Sequence, residues 1–253
     1  MKKYKLTEET IIVNGRTLYR IEALRDFAYI KKGDKGGFVE KENNLSQYGD
    51  SWVDDDAKVF GNAQVCGNAR IYGNAIVRGN AQVYGHAIVR GNAEVYGHAD
   101  ICGDAKVCGD AKVFGNAEVY DNAEVLGNAE VYDNAKVFEN AEVSFDAKVY
   151  DDAKVYEYAM VQGNAKVYGN AEIRTNACIY GDAVIDSIGD YIVFKNFWSS
   201  GRSFTWTRSN DMWKVGCFYG TGEELIKKAY KDSEISGKEY ERIVKYVETI
   251  KGK

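Results

Sequence analysis

The chain has 253 residues, 26 glycines, no proline and a formal net charge of −5. At an average usage of about 5%, roughly a dozen prolines would be present, so their absence points to a fold that uses nearly every backbone N–H. No stretch nears the roughly 18 apolar residues of a membrane span, and Met1–Glu9 lacks the apolar core of a signal peptide. With 13% aromatic residues arguing against disorder, the expectation is an ordered, soluble, cytoplasmic protein with no membrane contact.

Charge is uneven: +2 over residues 1–53, −10 over 54–186 and +3 over 187–253. An acidic middle excludes nucleic-acid backbone binding by that segment, and an anion is better received by the flanks. The five cysteines are odd in number and form no CxxC, which fits reduced thiols rather than a disulfide framework. No His/Cys cluster has metal-ligand spacing, so no metal or cofactor is expected.

Residues 1–53 read as an N-terminal cap. Ile11–Val13, Asn14-Gly15 and Thr17–Tyr19 predict a hairpin within residues 10–22. Gly37-Phe38-Val39, Asn43-Asn44-Leu45 and Ser51-Trp52-Val53 look like degenerate forms of the repeat that follows, with two extra residues between the last two.

Residues 54–188 are a hexapeptide repeat. Alanine recurs at every sixth position from Ala57 to Ala183, giving 22 units, each with Val or Ile two residues later. Residues two apart on a short strand share a face, and the Gly-Asn, Gly-Asp or Asp-Asn pairs between them are turn chemistry. A 3.6-residue helix would not hold a six-residue apolar period on one side. The pattern specifies an all-β solenoid, a parallel β-helix.

If three hexads make one coil, outward residues 18 apart should stack. Tyr96, Phe114, Tyr132, Tyr150 and Tyr168 form one aromatic column, and Tyr84, Cys102, Tyr120, Phe138 and Tyr156 a second. The third column, from Tyr72 through Arg90, Cys108, Leu126, Ser144 and Gln162 to Tyr180, is mixed. Beside the first, Glu94, Lys112, Glu130 and Lys148 alternate in sign, as stacked neighbours prefer. About seven coils follow from 22 units.

Residues 189–253 change pattern. Asp190–Phe194, Ser203–Thr207 and Trp213–Tyr219 predict three strands, with a turn at Ser209–Asp211. Thr221–Glu224 and Ser236–Glu239 each fit a capping box opening a helix. Tyr240, Ile243, Val244, Val247 and Ile250 form the apolar stripe of the second helix. This is a small α+β module.

Hexads with an aliphatic residue at one position and a small one four later resemble the left-handed parallel β-helix of the trimeric LpxA-like superfamily. That resemblance implies the left hand and the 18-residue triangular coil. Leu24-Arg25-Asp26-Phe27, Gly33–Val39 and Asn44–Val53 resemble the opening segment of YdcK-like hexapeptide-repeat proteins, which implies a bacterial or prophage source and a transferase label. Acyltransferases of this fold use a histidine as general base on acyl-CoA substrates, often between subunits. The matching candidates are His86 and His98, each standing where other hexads have Asn or Asp. They lie 12 residues apart, on different corners, and no inserted loop interrupts residues 57–188. A homo-oligomer, with a trimer as the implied form, would meet through the mixed face bearing Ile88, Leu126, Met160 and Cys178.

The C-terminal module gathers an aromatic and basic set: Arg202, Trp206, Arg208, Trp213, Lys214 and Tyr219. These are the expected ligand-binding residues, for a small anionic, nucleotide-like ligand or a protein partner. The leading expectation is a non-catalytic binding or scaffold protein. The alternative is an acyltransferase with His86 or His98 as base.

Overall fold

The computed structural model describes residues 2–251. The alanines from Ala57 to Ala183 and the aliphatic residues two positions on are closed to solvent, at 0–1% exposure. Each buried valine contributes about 1.5–3 kcal/mol relative to leaving it exposed. Together they form one continuous core running the length of a parallel β-solenoid.

Three parallel sheets make the walls. Strands two to four residues long pair with strands 18 residues away, as in Glu94↔Lys112 and Val95↔Val113. The mixed third face is an 8-stranded sheet, so the solenoid has about eight turns rather than seven. The additional turn is the degenerate segment before residue 54. Phe38↔Lys58 and Leu45↔Val65 pair at a separation of 20, whereas Trp52↔Arg70 has returned to 18. The two extra residues between Leu45 and Val53 are absorbed at one corner without breaking the stack.

Backbone donors explain the missing prolines over the repeat. In a typical hexad Glu94 N donates to Ala111 O, Tyr96 N to Val113 O and His98 N to Gly115 O, at 2.7–3.0 Å. Half of the N–H groups in each unit thus hold the next coil, and proline has none to give. The first corner residue of every hexad but the last, where Ser187 is extended, has positive φ. Most are glycine, but Asp121, Asp133, Glu139, Phe145, Asp151, Glu157 and Thr175 also adopt it.

The hairpin is longer than residues 10–22: Tyr4–Val13 pairs antiparallel with Arg16–Ala23 around Asn14 and Gly15, both at positive φ. It continues into Lys35–Val39, which joins the first face, so hairpin and solenoid share one 11-stranded sheet. The chain start also plugs the open end of the core. Tyr4, fully buried, donates its O–H to Glu42 O and Leu45 O at 2.8 and 2.7 Å. The Lys3 ammonium, also buried, donates to Ser51 O at 2.7 Å.

At the other end lies a four-stranded antiparallel sheet of Tyr191–Lys195, Ser203–Thr207, Met212–Val215 and Phe218–Gly220. The predicted strand 213–219 is split by a turn at Gly216-Cys217, where Gly216 has φ 55°. Helix α1 (Gly222–Asp232) opens with the expected Thr221–Glu224 capping box. Helix α2 (Glu234–Ile250) starts earlier than the Ser236–Glu239 reading placed it. Ser233 ends α1 by donating its N–H to Ala229 O, and its hydroxyl caps α2 by accepting from Ser236 N at 3.0 Å. One residue serves both helices, so no linker separates them.

The module covers the last coil. Thr205 Oγ1 accepts from Cys178 N at 2.9 Å, Ser209 Oγ accepts from Val184 N at 2.7 Å, and Tyr191 donates its O–H to Glu172 O at 2.8 Å. The Tyr219 ring meets Tyr180 edge-on at 4.9 Å. A Cβ on Gly181 would fall 2.0 Å from the Tyr219 hydroxyl, so this close docking requires glycine there. These contacts satisfy a strand edge that would otherwise be open to pairing with another chain. Among the described residues no helix is long and apolar enough to cross a membrane.

Candidate functional site

The structure separates the six aromatic and basic candidates of the module. Trp206 and Trp213 face each other across two strands and are 1% exposed. They form the module's core with Phe204, Leu225, Val244 and Val247, and Trp206 Nε1 is satisfied by Asp211 Oδ1 at 2.8 Å. Their rings are closed to any ligand. Tyr219 is engaged in docking onto Tyr180, and its hydroxyl accepts from Asn210 Nδ2 at 3.2 Å. Arg208 sits at an exposed turn, where its backbone N–H donates to Asp190 O.

Arg202 and Lys214 meet in a different setting. They line a cleft of about 540 Å³ between the third face and the module, with Lys195 as a third cation. The solenoid supplies Met160, Gln162, Asn176 and Cys178 to the opposite wall. No Asp or Glu lines the cleft, and among the described residues none of the three cations forms an ion pair. Glu142, whose charge acts on Cys178 in this wall, accepts at its Oε1 from Ser144 and Gln162 at 2.7 and 2.9 Å. The Lys214 ammonium lies 4.3 Å from the Tyr180 ring centre, where the π face steadies it without neutralising it. Cys178 stays a neutral thiol: burial pushes it up to about 11, against the pull of nearby Lys214. The cleft therefore gathers three cationic residues with no carboxylate in its lining, beside an acidic solenoid.

Sequence reasoning missed Lys195, Gln162, Asn176 and Ser203. Lys195 ends a strand after one buried and three partly buried residues, and only the docking of that sheet against the third face turns it toward the repeat residues.

The two histidines are not brought together within the chain. His86 and His98 are exposed and stand in separate corner columns, with Nε2 3.3 Å from Asn68 Nδ2 and Asn80 Nδ2 respectively. Both follow the positive-φ glycine of their hexad rather than occupying it. They stand in for asparagine in side-chain ladders such as Asn62→Asn80 and Asn116→Asn134.

The aromatic columns are real, with ring centroids 4.8–5.1 Å apart and planes within 7°. Stacking at that spacing covers ring faces with other rings, and the Arg78 guanidinium closes one end, 4.1 Å from Tyr96. Mostly ring edges remain for a ligand, which favours a stabilising role. On the third face, Cys178 is buried under the module and Met160 belongs to the cleft, leaving Ile88 and Leu126 half-buried.

A family model for the YdcK β-solenoid repeat matches residues 63–79, almost one coil of the stack described above. The chain is a parallel β-solenoid that contains a YdcK-type repeat. No curated protein matches it. The match lies within the repeat and does not reach the C-terminal module.

Proposed function

We propose that this protein is a non-catalytic binding protein and that it takes a small anion in the cleft between its solenoid and its C-terminal module. The observation that carries the reading is the convergence of Lys195, Arg202 and Lys214 on one cavity with no carboxylate in its wall. Unpaired cations held close together repel one another, and an anion relieves that cost. Arginine offers a fork suited to phosphate or carboxylate oxygens, while lysine ammonium groups adapt to a rounded charge. The solenoid's part is to hold a rigid wall of neutral polar groups opposite the cations.

Native mass spectrometry of protein purified from cells tests this. The expected result is an anionic small molecule on the wild type that is lost from the Lys195→Gln/Lys214→Gln variant. Identical adducts on both proteins, or none on the wild type at millimolar added phosphate, would overturn the reading.

A further inference from the structure

We infer that the anion of this cleft is a phosphate monoester carrying an aromatic or heteroaromatic group, and that the ring enters a second cavity on the far side of Arg202. The inference rests on the anion reading above and adds to it the class of ligand.

The second cavity holds about 440 Å³ and lies between the module's sheet and its two helices. Arg202 lines both cavities, so the two spaces share this residue as a wall. Both volumes fall within the roughly 300–1,000 Å³ typical of small-molecule sites.

Arg202 is held at the divide by two features. It ends a loop organised by Asn196, which is 4% exposed and uses every group it has. Asn196 Oδ1 accepts from Ser199 N and Ser199 Oγ at 2.9 and 3.0 Å, and its Nδ2 donates to the Tyr240 hydroxyl at 3.2 Å. Its backbone N–H donates to Arg202 O at 2.8 Å and its carbonyl accepts from Gly201 N at 2.7 Å. Opposite, Gly216 leaves room for the guanidinium: a Cβ there would lie 3.3 Å from Arg202 Nη1. A side chain at Gly216 would crowd the arginine away from the boundary.

The two cavities differ in chemistry. The first has three cations and no acid. The second presents Val215, Phe218, Leu225 and Tyr240 as an apolar wall, with serine hydroxyls and the charged pair Lys228 and Asp232 completing its lining. Aromatic walls with a few polar groups favour a flat ring able to form one or two hydrogen bonds. A phosphate monoester carries about −1.5 to −2 charges at neutral pH, which suits three cations better than a monoanion does. A ligand that satisfies both cavities has its phosphate on Lys195, Arg202 and Lys214 and its ring against Phe218 and Tyr240.

Calorimetric titration with inorganic phosphate, butyl phosphate and phenyl phosphate separates this inference from the reading beneath it. The proteins are the wild type, Lys214→Gln, and two variants that fill the second cavity from its rim, Cys217→Phe and Ser200→Trp. Phenyl phosphate should bind the wild type about 10-fold more tightly than inorganic phosphate, with butyl phosphate between them. Either filling variant should reduce that advantage to under about 3-fold while leaving inorganic phosphate within about 2-fold, whereas Lys214→Gln should weaken all three ligands. Equal affinity for phenyl and inorganic phosphate, or a phenyl advantage that survives both filling variants, overturns the two-cavity ligand and leaves the anion site standing. Absence of phosphate binding to the wild type, or binding unaffected by Lys214→Gln, removes the anion site itself.

Discussion

One corner column of the solenoid runs Gly73, Gly91, Gly109, Gly127, Phe145, Gly163 and Gly181, and all seven residues have positive φ. Phe145 alone carries a side chain, and it is 58% exposed. The left-handed region costs a non-glycine residue about 1–2 kcal/mol, and the half-exposed ring recovers little of that by burial. Phe145→Gly should therefore release that strain, less about 0.5–1 kcal/mol for the extra freedom of glycine in the unfolded chain. A net gain of about 0.5–1 kcal/mol is expected. Gly109→Ala in the same column runs the other way. It meets the same left-handed penalty, and its Cβ would fall 2.9 Å from Gly127 O, the carbonyl that accepts from Asp110 N at 2.8 Å. The loss should be about 2 kcal/mol or more. Guanidinium denaturation followed by far-ultraviolet circular dichroism reads both, provided the slope with denaturant is unchanged. A Phe145→Gly protein destabilised by more than 1 kcal/mol, or a neutral Gly109→Ala, would refute this account of the corners.

Three further outcomes follow from the ends of the solenoid and its corners. Burial lowers the Lys3 ammonium from its usual 10.5 to about 8, so above pH 8 the unfolded chain binds the extra proton. Stability should thus rise from pH 8 to 9.5 by about 1.5 kcal/mol in the wild type relative to Lys3→Met, at up to 1.36 kcal/mol per pH unit; parallel pH profiles for the two proteins would remove that reasoning. Thr205→Val deletes the acceptor for the buried Cys178 N–H and should cost about 1–3 kcal/mol, with faster amide exchange at residues 178–179 as the local signature. His86→Asn and His98→Asn restore the corner ladder, so each should leave the denaturation midpoint within about 0.5 kcal/mol and leave phosphate binding unchanged.

The repeat was legible because one constraint, a side chain facing the core, governs each alanine and each aliphatic residue after it. Spacing alone gave the 18-residue coil, and the stacked rings from Tyr96 to Tyr168 report the same period in space. The eighth turn was harder to read, since two added residues between Leu45 and Val53 break the count while leaving the sheet intact. Local patterns failed in the module for a physical reason. Ser203–Thr207 is buried on both faces from Phe204 to Thr207, so it lacks the alternation that would have marked Trp206 as interior. The cleft was the least legible feature. Its residues are drawn from Met160 to Gly216, and only the docking of Thr205 beside Cys178 brings the repeat wall to the cations.

The claim that most needs testing is that Lys195, Arg202 and Lys214 act together as an anion site. Differential scanning calorimetry at low ionic strength, with and without phenyl phosphate, measures this directly because a ligand that binds only the folded state adds stability in proportion to the logarithm of one plus its concentration over Kd, about 2.7 kcal/mol at 100 times Kd. The wild type should show a melting temperature that climbs with phenyl phosphate and falls back as salt screens the cleft, while Lys195→Gln/Arg202→Gln/Lys214→Gln shows no climb. An equal rise in both proteins, or none in the wild type, would contradict the account.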